Sequence, residues 1–272
     1  MKKRILSMVL AGVMIMSLAA CGEKQDTTSA TGKQTEAISS ESQTMVESSE
    51  SKTEEVVAES SAEYDEAALA DFKYYEAVDC YVIDGYIGLD KTVSVPATIN
   101  GKPVVGIRMF GVNKVVKHVI LPESITYIGK EAFKDCSSIE SINIPENVTE
   151  IGIGAFNGCE ELKEIVIPSN VTVIEEDTFA SCRALEKVTI PDGVTRIGDD
   201  AFYLCTSMTE ITIPDSVTEI GDAFVACTVL EKVEIPDGVE KISKGTFTGC
   251  EAITVTYKGN TYSYSDIDKL YN

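Results

Sequence analysis

Histidine is almost absent from this chain of 272 residues: His118 stands alone. A Ser-His-Asp arrangement or a histidine-rich metal site would rest on that one side chain, and no partner spacing accompanies it. Cations are scarce as well. The 23 Lys and Arg face 44 Asp and Glu, a formal net charge of −21, which argues against nucleic acid because phosphate binding needs a basic patch. The close Cys-x-x-Cys pairs of zinc sites are missing. So is a glycine-rich phosphate loop, since the Ile-Gly steps read as turns. Carboxylates are plentiful but scattered, and scattered Asp and Glu make no glycosidase pair without a cleft. The chain therefore offers no catalytic, cofactor or metal site, and an enzyme is not expected.

A long hydrophobic run is also lacking, with one short exception. Lys2, Lys3 and Arg4 precede an apolar stretch from Ile5 to Ala20, which is short for a spanning helix and ends in small residues, as export signals do. Leu18-Ala19-Ala20-Cys21 resembles the lipobox of bacterial lipoproteins. That resemblance implies cleavage before Cys21, a diacylglycerol on its sulfur, and anchorage on the extracytoplasmic face of a bacterial cell membrane. Acyl chains contribute about 0.8 kcal/mol per buried CH₂, enough for two or three to hold a soluble domain. Residues 21–71 then read as the lipidated cysteine and a Ser/Thr/Glu-rich tether. They are too poor in apolar side chains to offset the entropy of ordering. As a flexible coil the tether spans roughly 40 Å on average, and fully stretched on the order of 170 Å.

The remainder, residues 72–272, is governed by repetition. Pro122, Pro145, Pro168, Pro191, Pro214 and Pro236 each open a similar unit, and the period of about 23 residues lies in the leucine-rich-repeat range. A β-branched residue follows three positions on (Ile125, Val148, Val171, Val194, Val217, Val239). An isoleucine follows three later (Ile128 through Ile242), then a phenylalanine column (Phe133 to Phe247) and a cysteine column (Cys136 to Cys250). Alternation in Leu162-Lys163-Glu164-Ile165-Val166-Ile167 predicts a short strand with one face inward. Proline, which has no N–H, ends it, and pairs such as Ser169-Asn170 and Asp192-Gly193 turn the chain. Residues recurring at a fixed period stack in columns, so the fold is a solenoid with short parallel strands, roughly 30 Å long.

The string Cys-x-x-Leu-x-x-Ile-x-Ile-Pro-x-x-Val-x-x-Ile-Gly-x-x-Ala-Phe resembles the bacterial BspA-type leucine-rich repeat. The resemblance implies a curved right-handed solenoid on secreted or cell-surface proteins, several of which act in adhesion. Two units depart from the pattern. The one between Pro214 and Pro236 is a residue short, and the leading one from Pro96 puts Asn113 where cysteine is expected. Phe72–Tyr75 with Tyr81–Tyr86 read as a cap at one end, and Ile99–Val104 as a first-repeat hairpin. At the other end a hairpin around Gly259 and a short amphipathic helix over Ser265–Tyr271 are expected. Such caps cover the open edges of a stack.

Several columns carry candidate function. Lys117, Glu140, Lys163 and Glu186 form one, and His118, Ser141, Glu164 and Lys187 its neighbour. Their alternating signs predict cross-strand pairs worth a few tenths of a kcal/mol each, while Lys163 and Lys187 are also candidates for a partner surface. The two positions after the phenylalanine are polar or small in most units but become Tyr203-Leu204 and Val225-Ala226, with Val229 nearby. Facing outward they make an apolar partner patch; turned inward they repair the shortened coil. The six column cysteines read as small buried thiols with parallel side chains rather than as disulfides. Cys80 stands outside the column and is unassigned. Asn147-Val148-Thr149 and Asn170-Val171-Thr172 match glycosylation sequons, but turn chemistry already accounts for each Asn.

These features predict a lipid-anchored module that binds a macromolecule, a protein or a glycan, in an adhesin-like way. The alternative is an envelope scaffold that meets proteins of the same cell's wall or membrane. The anchor is checked directly. Mass spectrometry of the mature protein should find an acylated Cys21 at its N-terminus, and Cys21→Ala should abolish both acylation and processing. An unmodified N-terminus elsewhere would refute the lipoprotein assignment.

Overall fold

The computed structural model describes residues 69–271. The export signal, Cys21 and nearly all of the tether read from the sequence lie outside the described residues. Within them the chain coils into a β-solenoid of about eight turns. One row of short strands falls into three parallel groups: Thr92–Ser94, His118–Ile120 and Ser141–Ile142; Glu164–Val166 and Lys187–Thr189; and Glu210–Thr212, Lys232–Ile235 and Thr254–Tyr257. In register, Glu164 lies beside Lys187 and Glu210 beside Lys232. The second apolar stretch of each coil gives two further parallel ladders, one with Tyr127–Ile128 beside Glu150–Ile151 and the other with Arg196–Ile197 beside Glu219–Ile220.

Each corner has a chemical cause. The proline carbonyl accepts the amide three residues on, as in Val171 N to Pro168 O at 3.1 Å and Val194 N to Pro191 O at 3.2 Å. This is a β-turn that needs no donor from proline itself. At the second corner Glu131, Gly154, Asp177 and Asp200 adopt φ of 55°, 62°, 57° and 54°. The shortened unit lacks this left-handed residue. Its Phe224 nevertheless stays in the stack, 5.5 Å from Phe202 and 5.7 Å from Phe247.

The core is columnar. Rings from Phe133 to Phe247 stack at centroid spacings of 5.4–5.7 Å and interplanar angles of 3–11°. Tyr86 and Phe110 extend the stack into the first coils. Beneath it each cysteine thiol donates to a carbonyl of the preceding coil. Cys159 reaches Phe133 O at 3.3 Å, Cys182 reaches Phe156 O at 3.3 Å and Cys205 reaches Phe179 O at 3.4 Å. The same carbonyls accept a backbone amide, such as Cys159 N to Phe156 O at 3.1 Å, so both lone pairs are used. The six column cysteines are buried and free of disulfides. Asn113 fills the same role: its Nδ2 donates to Gly88 O at 3.2 Å and its Oδ1 receives the amides of Val115 and Val116.

Both ends are closed. Phe72–Glu76 pairs antiparallel with Tyr81–Tyr86, and Thr98–Ile99 with the start of Lys102–Ile107 around Asn100 and Gly101, both at positive φ. At the other end Thr254–Tyr257 pairs with Asn260–Ser263. The terminal helix is a 3-10 helix spanning Tyr264–Tyr271. Its pitch follows from the three-residue spacing of Tyr264, Ile267 and Leu270, which places all three on one side against the last coil.

Two outcomes test the columns. Phe179→Ala, which removes a ring stacked on both Phe156 and Phe202, should cost about 3–5 kcal/mol in denaturant unfolding. Alkaline pH should act through the thiols. Burial pushes the Cys136 thiol up to about 11 and the Cys205 thiol to about 12, and raises Cys159 and Cys182 as well. An unfolded thiol ionises near pH ~8.5. The folded state's hold on these protons is therefore fully stabilising below that pH and is lost as pH rises through the folded values. The unfolding free energy should fall above about pH 9, by up to about 1.4 kcal/mol per pH unit for each such thiol, and the melting temperature with it. Alkylation without reductant should label all six only after denaturation. A flat alkaline profile or paired sulfurs would contradict the thiol ladder.

Candidate functional site

The outward side chains of the first strand row form one open face. Pleating sends Val119, Ile165 and Val233 into the core and their neighbours to solvent. Two shallow hollows lie on it. The first, about 430 Å³, is lined by His118, Glu140, Ser141, Lys163, Glu164, Glu186 and Lys187. The second, about 480 Å³, is lined by four acids and Lys232 together with Ile211, Thr212, Ile213, Ile235 and Pro236. The predicted pair Lys163 and Lys187 is thus brought together at one hollow, and both are exposed. His118 Nδ1 lies 2.9 Å from Ser141 Oγ, which is a cross-strand contact.

The expectation of a series of cross-strand ion pairs needs correction. Lys117 pairs with Glu140, which holds the Glu140 carboxyl below and the Lys117 ammonium above their usual ranges. Among the described residues no other ion pair forms within this face. Glu164 and Lys187, or Glu210 and Lys232, sit side by side in register without closing, because exposed long side chains gain little by giving up rotamer freedom. Most of these charges remain available to a partner.

The apolar candidates lie on a different edge. Leu204 N donates to Val225 O at 3.0 Å, so the two coils present Tyr203-Leu204 and Val225-Ala226 side by side. All four are half-buried, and Val229 is exposed. Both sequence readings were too simple, since the residues are neither fully outward nor folded into the core. Shortening does not turn them, because the missing residue lies upstream of Phe224. Leu204 and Ala226 keep the left-handed backbone, φ 57° and 59°, that Asp135, Gly158, Ser181 and Gly249 have in the same column. A leucine there is strained where glycine is not.

The sequence reading passed over a carboxylate row at the second corner. Asp199 Oδ1 accepts the Asp222 amide at 2.9 Å, and Asp222 Oδ1 accepts the Gly245 amide at 2.9 Å and the Ser243 hydroxyl. Burial and the neighbouring Asp177, Asp199 and Asp222 raise the Asp200 carboxyl. The row caps backbone amides of the next coil, and the 23-residue spacing from Asp199 to Asp222 was its signal in the sequence. Both sequon asparagines are structural in the same way: Asn147 and Asn170 donate to Glu123 O and Glu146 O of the preceding coil, each at 2.7 Å. Among the described residues no group of three or more His, Cys, Asp or Glu is placed to hold a metal ion, and no helix is long and apolar enough to cross a membrane.

The family model described as the BspA type leucine rich repeat region matches in six copies over residues 104–224 and 195–267. No curated protein matches the chain. Among solved structures, a leucine rich repeat protein of T. pallidum is 28% identical, over 70% of this chain and 80% of that one, with a TM-score of 0.49. A leucine rich cell surface protein of Faecalibacterium prausnitzii A2-165 is 25% identical, over 69% of each chain, with a TM-score of 0.48.

Strain at Leu204 predicts an unusual tolerance. Leu204→Gly relieves roughly 1 kcal/mol of left-handed strain, offsetting the loss of a half-buried side chain. It should unfold at a denaturant midpoint no lower than the parent's. Leu185→Ala, in the sealed core, should cost about 2–5 kcal/mol. A marked loss of stability in Leu204→Gly would show that its packing outweighs its backbone.

Proposed function

Because this chain belongs to the BspA-type leucine-rich repeat family, we propose that it is a lipid-anchored, extracytoplasmic binding module whose strand face recognises a macromolecule, a protein or a glycan, in an adhesin-like way. The observation that carries this reading is the strand face itself. It is rigid, since each strand is fixed by its neighbours, yet its charges are largely uncommitted. Its hollows are open and shallow, whereas small-molecule sites bury most of their ligand in concave, mainly apolar pockets. A repeated surface of this kind makes broad contact with a large partner. Lys163 and Lys187 supply cations beside Glu164 and Glu186 in one hollow, and Tyr203, Leu204, Val225 and Val229 supply a secondary apolar edge. The Cys21 anchor and the tether would hold the module at the membrane.

The length of the tether supports a second reading. If residues 22–71 form the flexible coil that their composition predicts, an average reach of roughly 40 Å would suit a partner in the cell's own envelope, for which the domain is a scaffold, better than one beyond a thick wall. Labelling intact cells with an antibody to the repeat domain separates the two.

Binding is tested with the purified folded domain, presented in parallel to extracellular-matrix extract and to the envelope fraction of the producing cell. A specific partner should lose affinity at least about tenfold, or 1.4 kcal/mol, when Lys163 and Lys187 are both changed to Glu, at an unchanged melting temperature. Tyr203→Ser with Leu204→Gly tests the apolar edge in the same way. If neither fraction yields a partner sensitive to either pair, the binding-module reading fails and a passive scaffold takes its place.

A further inference from the structure

The first coils differ from the next ones in the aliphatic side chains they expose along one edge. Residues 85–122 hold five cations. Lys102, Arg108 and Lys117 are paired with Glu76, Asp84 and Glu140, which leaves Lys91 and Lys114 without an ion pair among the described residues beside the aliphatic edge, with Asp90 and Asp71 the acids nearby. The segment 86–91 runs directly beside 110–117. Tyr86 N donates to Phe110 O at 2.8 Å, Asn113 Nδ2 to Gly88 O at 3.2 Å, and Lys117 N to Lys91 O at 2.8 Å. These bonds fix the two segments in register and bring Ile87 and Leu89 to the same edge as Val112 and Val115. All four aliphatic side chains are exposed, by 59%, 77%, 66% and 37%.

The fold does not need them there. Tyr86, Phe110 and Val116 already close the core beneath, and the equivalent edge of the next coils is polar, with Lys134-Asp135 and then Asn157-Gly158. Lys91 and Lys114 flank the aliphatic residues, are exposed, and enter no ion pair among the described residues. Asp90 accepts a hydrogen bond from the Tyr86 hydroxyl at 3.2 Å.

We propose that this edge docks on an anionic phospholipid bilayer. Ile87, Leu89, Val112 and Val115 enter the boundary between headgroups and acyl chains, and Lys91 and Lys114 meet the headgroup phosphates. Exposed aliphatic residues flanked by lysine are the combination that interfacial lipid binding uses. A protein partner would favour aromatic and arginine anchors, and this edge exposes neither. The inference rests on the membrane-tethered reading for which bilayer is met, but not on acylation of Cys21. The tether would then confine the domain, and this edge would hold its first coils against the membrane.

The assay uses the unacylated chain from Gly22 to Asn272, which keeps every residue of the buried core. It is sedimented with vesicles of phosphatidylglycerol and phosphatidylcholine in equal parts, or of phosphatidylcholine alone. Partition into the anionic vesicles should exceed that into neutral ones at least about tenfold and fall in high salt. Leu89→Asp with Val112→Asp, and separately Lys91→Glu with Lys114→Glu, should each reduce it at least about tenfold without changing the circular dichroism melt. Val166→Asp, at an exposed aliphatic of the strand face, should leave it unchanged. The proposal is overturned if the parent chain ignores anionic vesicles, or if either double variant binds them like the parent. It also fails if sedimentation velocity shows that Leu89→Asp with Val112→Asp abolishes a dimer rather than vesicle binding. Loss of the Cys21 assignment leaves this result intact, because the assayed chain carries no acyl group.

Discussion

Stacking of one coil on the next is the interaction on which everything else in this molecule depends. A single coil of about 23 residues encloses too little to bury its own apolar edge, so its stability lies in the interfaces with its two neighbours. Three kinds of contact share each interface. Backbone ladders fix the vertical spacing, the phenylalanine rings fill the centre, and the thiols satisfy carbonyls that an alanine would leave with a single donor. Because all three repeat together, a change at one column position weakens two interfaces.

That architecture limits where individuality can reside. Inward positions are committed to a column, as Ile151, Phe156 and Cys159 show. Only outward positions vary freely, and they vary in an ordered way along the stack. The first coils expose an aliphatic edge flanked by Lys91 and Lys114, the middle of the strand face carries mixed charges, and the later coils have a half-buried apolar edge at Tyr203 and Leu204. One scaffold can thus present different chemistries at different heights without altering its backbone. The shortened unit makes the same point, since removing a corner residue leaves Phe224 in its stack.

Charge behaves differently on the two sides of the coil. On the strand face, neighbouring Glu and Lys remain open to solvent and to partners. At the second corner the carboxylates of Asp199 and Asp222 are turned to the backbone, where hydrogen bonds to amides give them a structural task. The acidity of the domain is therefore not a single property. Part of it holds coils together, and part is presented outward.

The sequence by itself determined the columns. The period, the proline turns, the inward isoleucines and the phenylalanine and cysteine ladders were legible because each coil repeats the same physical problem and meets it with the same residue types. Lys163 and Lys187 were legible as neighbours for the same reason. Three things were decided only by tertiary structure. Whether opposite charges in adjacent strands would close depends on side-chain entropy at an exposed site, and only Lys117 and Glu140 do so on that face. The half-burial of Tyr203 and Leu204 follows from a left-handed backbone that no local propensity of leucine announces. The pairing of Ile87 and Leu89 with Val112 and Val115 joins segments more than twenty residues apart in the irregular first coils. There the repeat is degenerate, and only the hydrogen bonds between coils set the register.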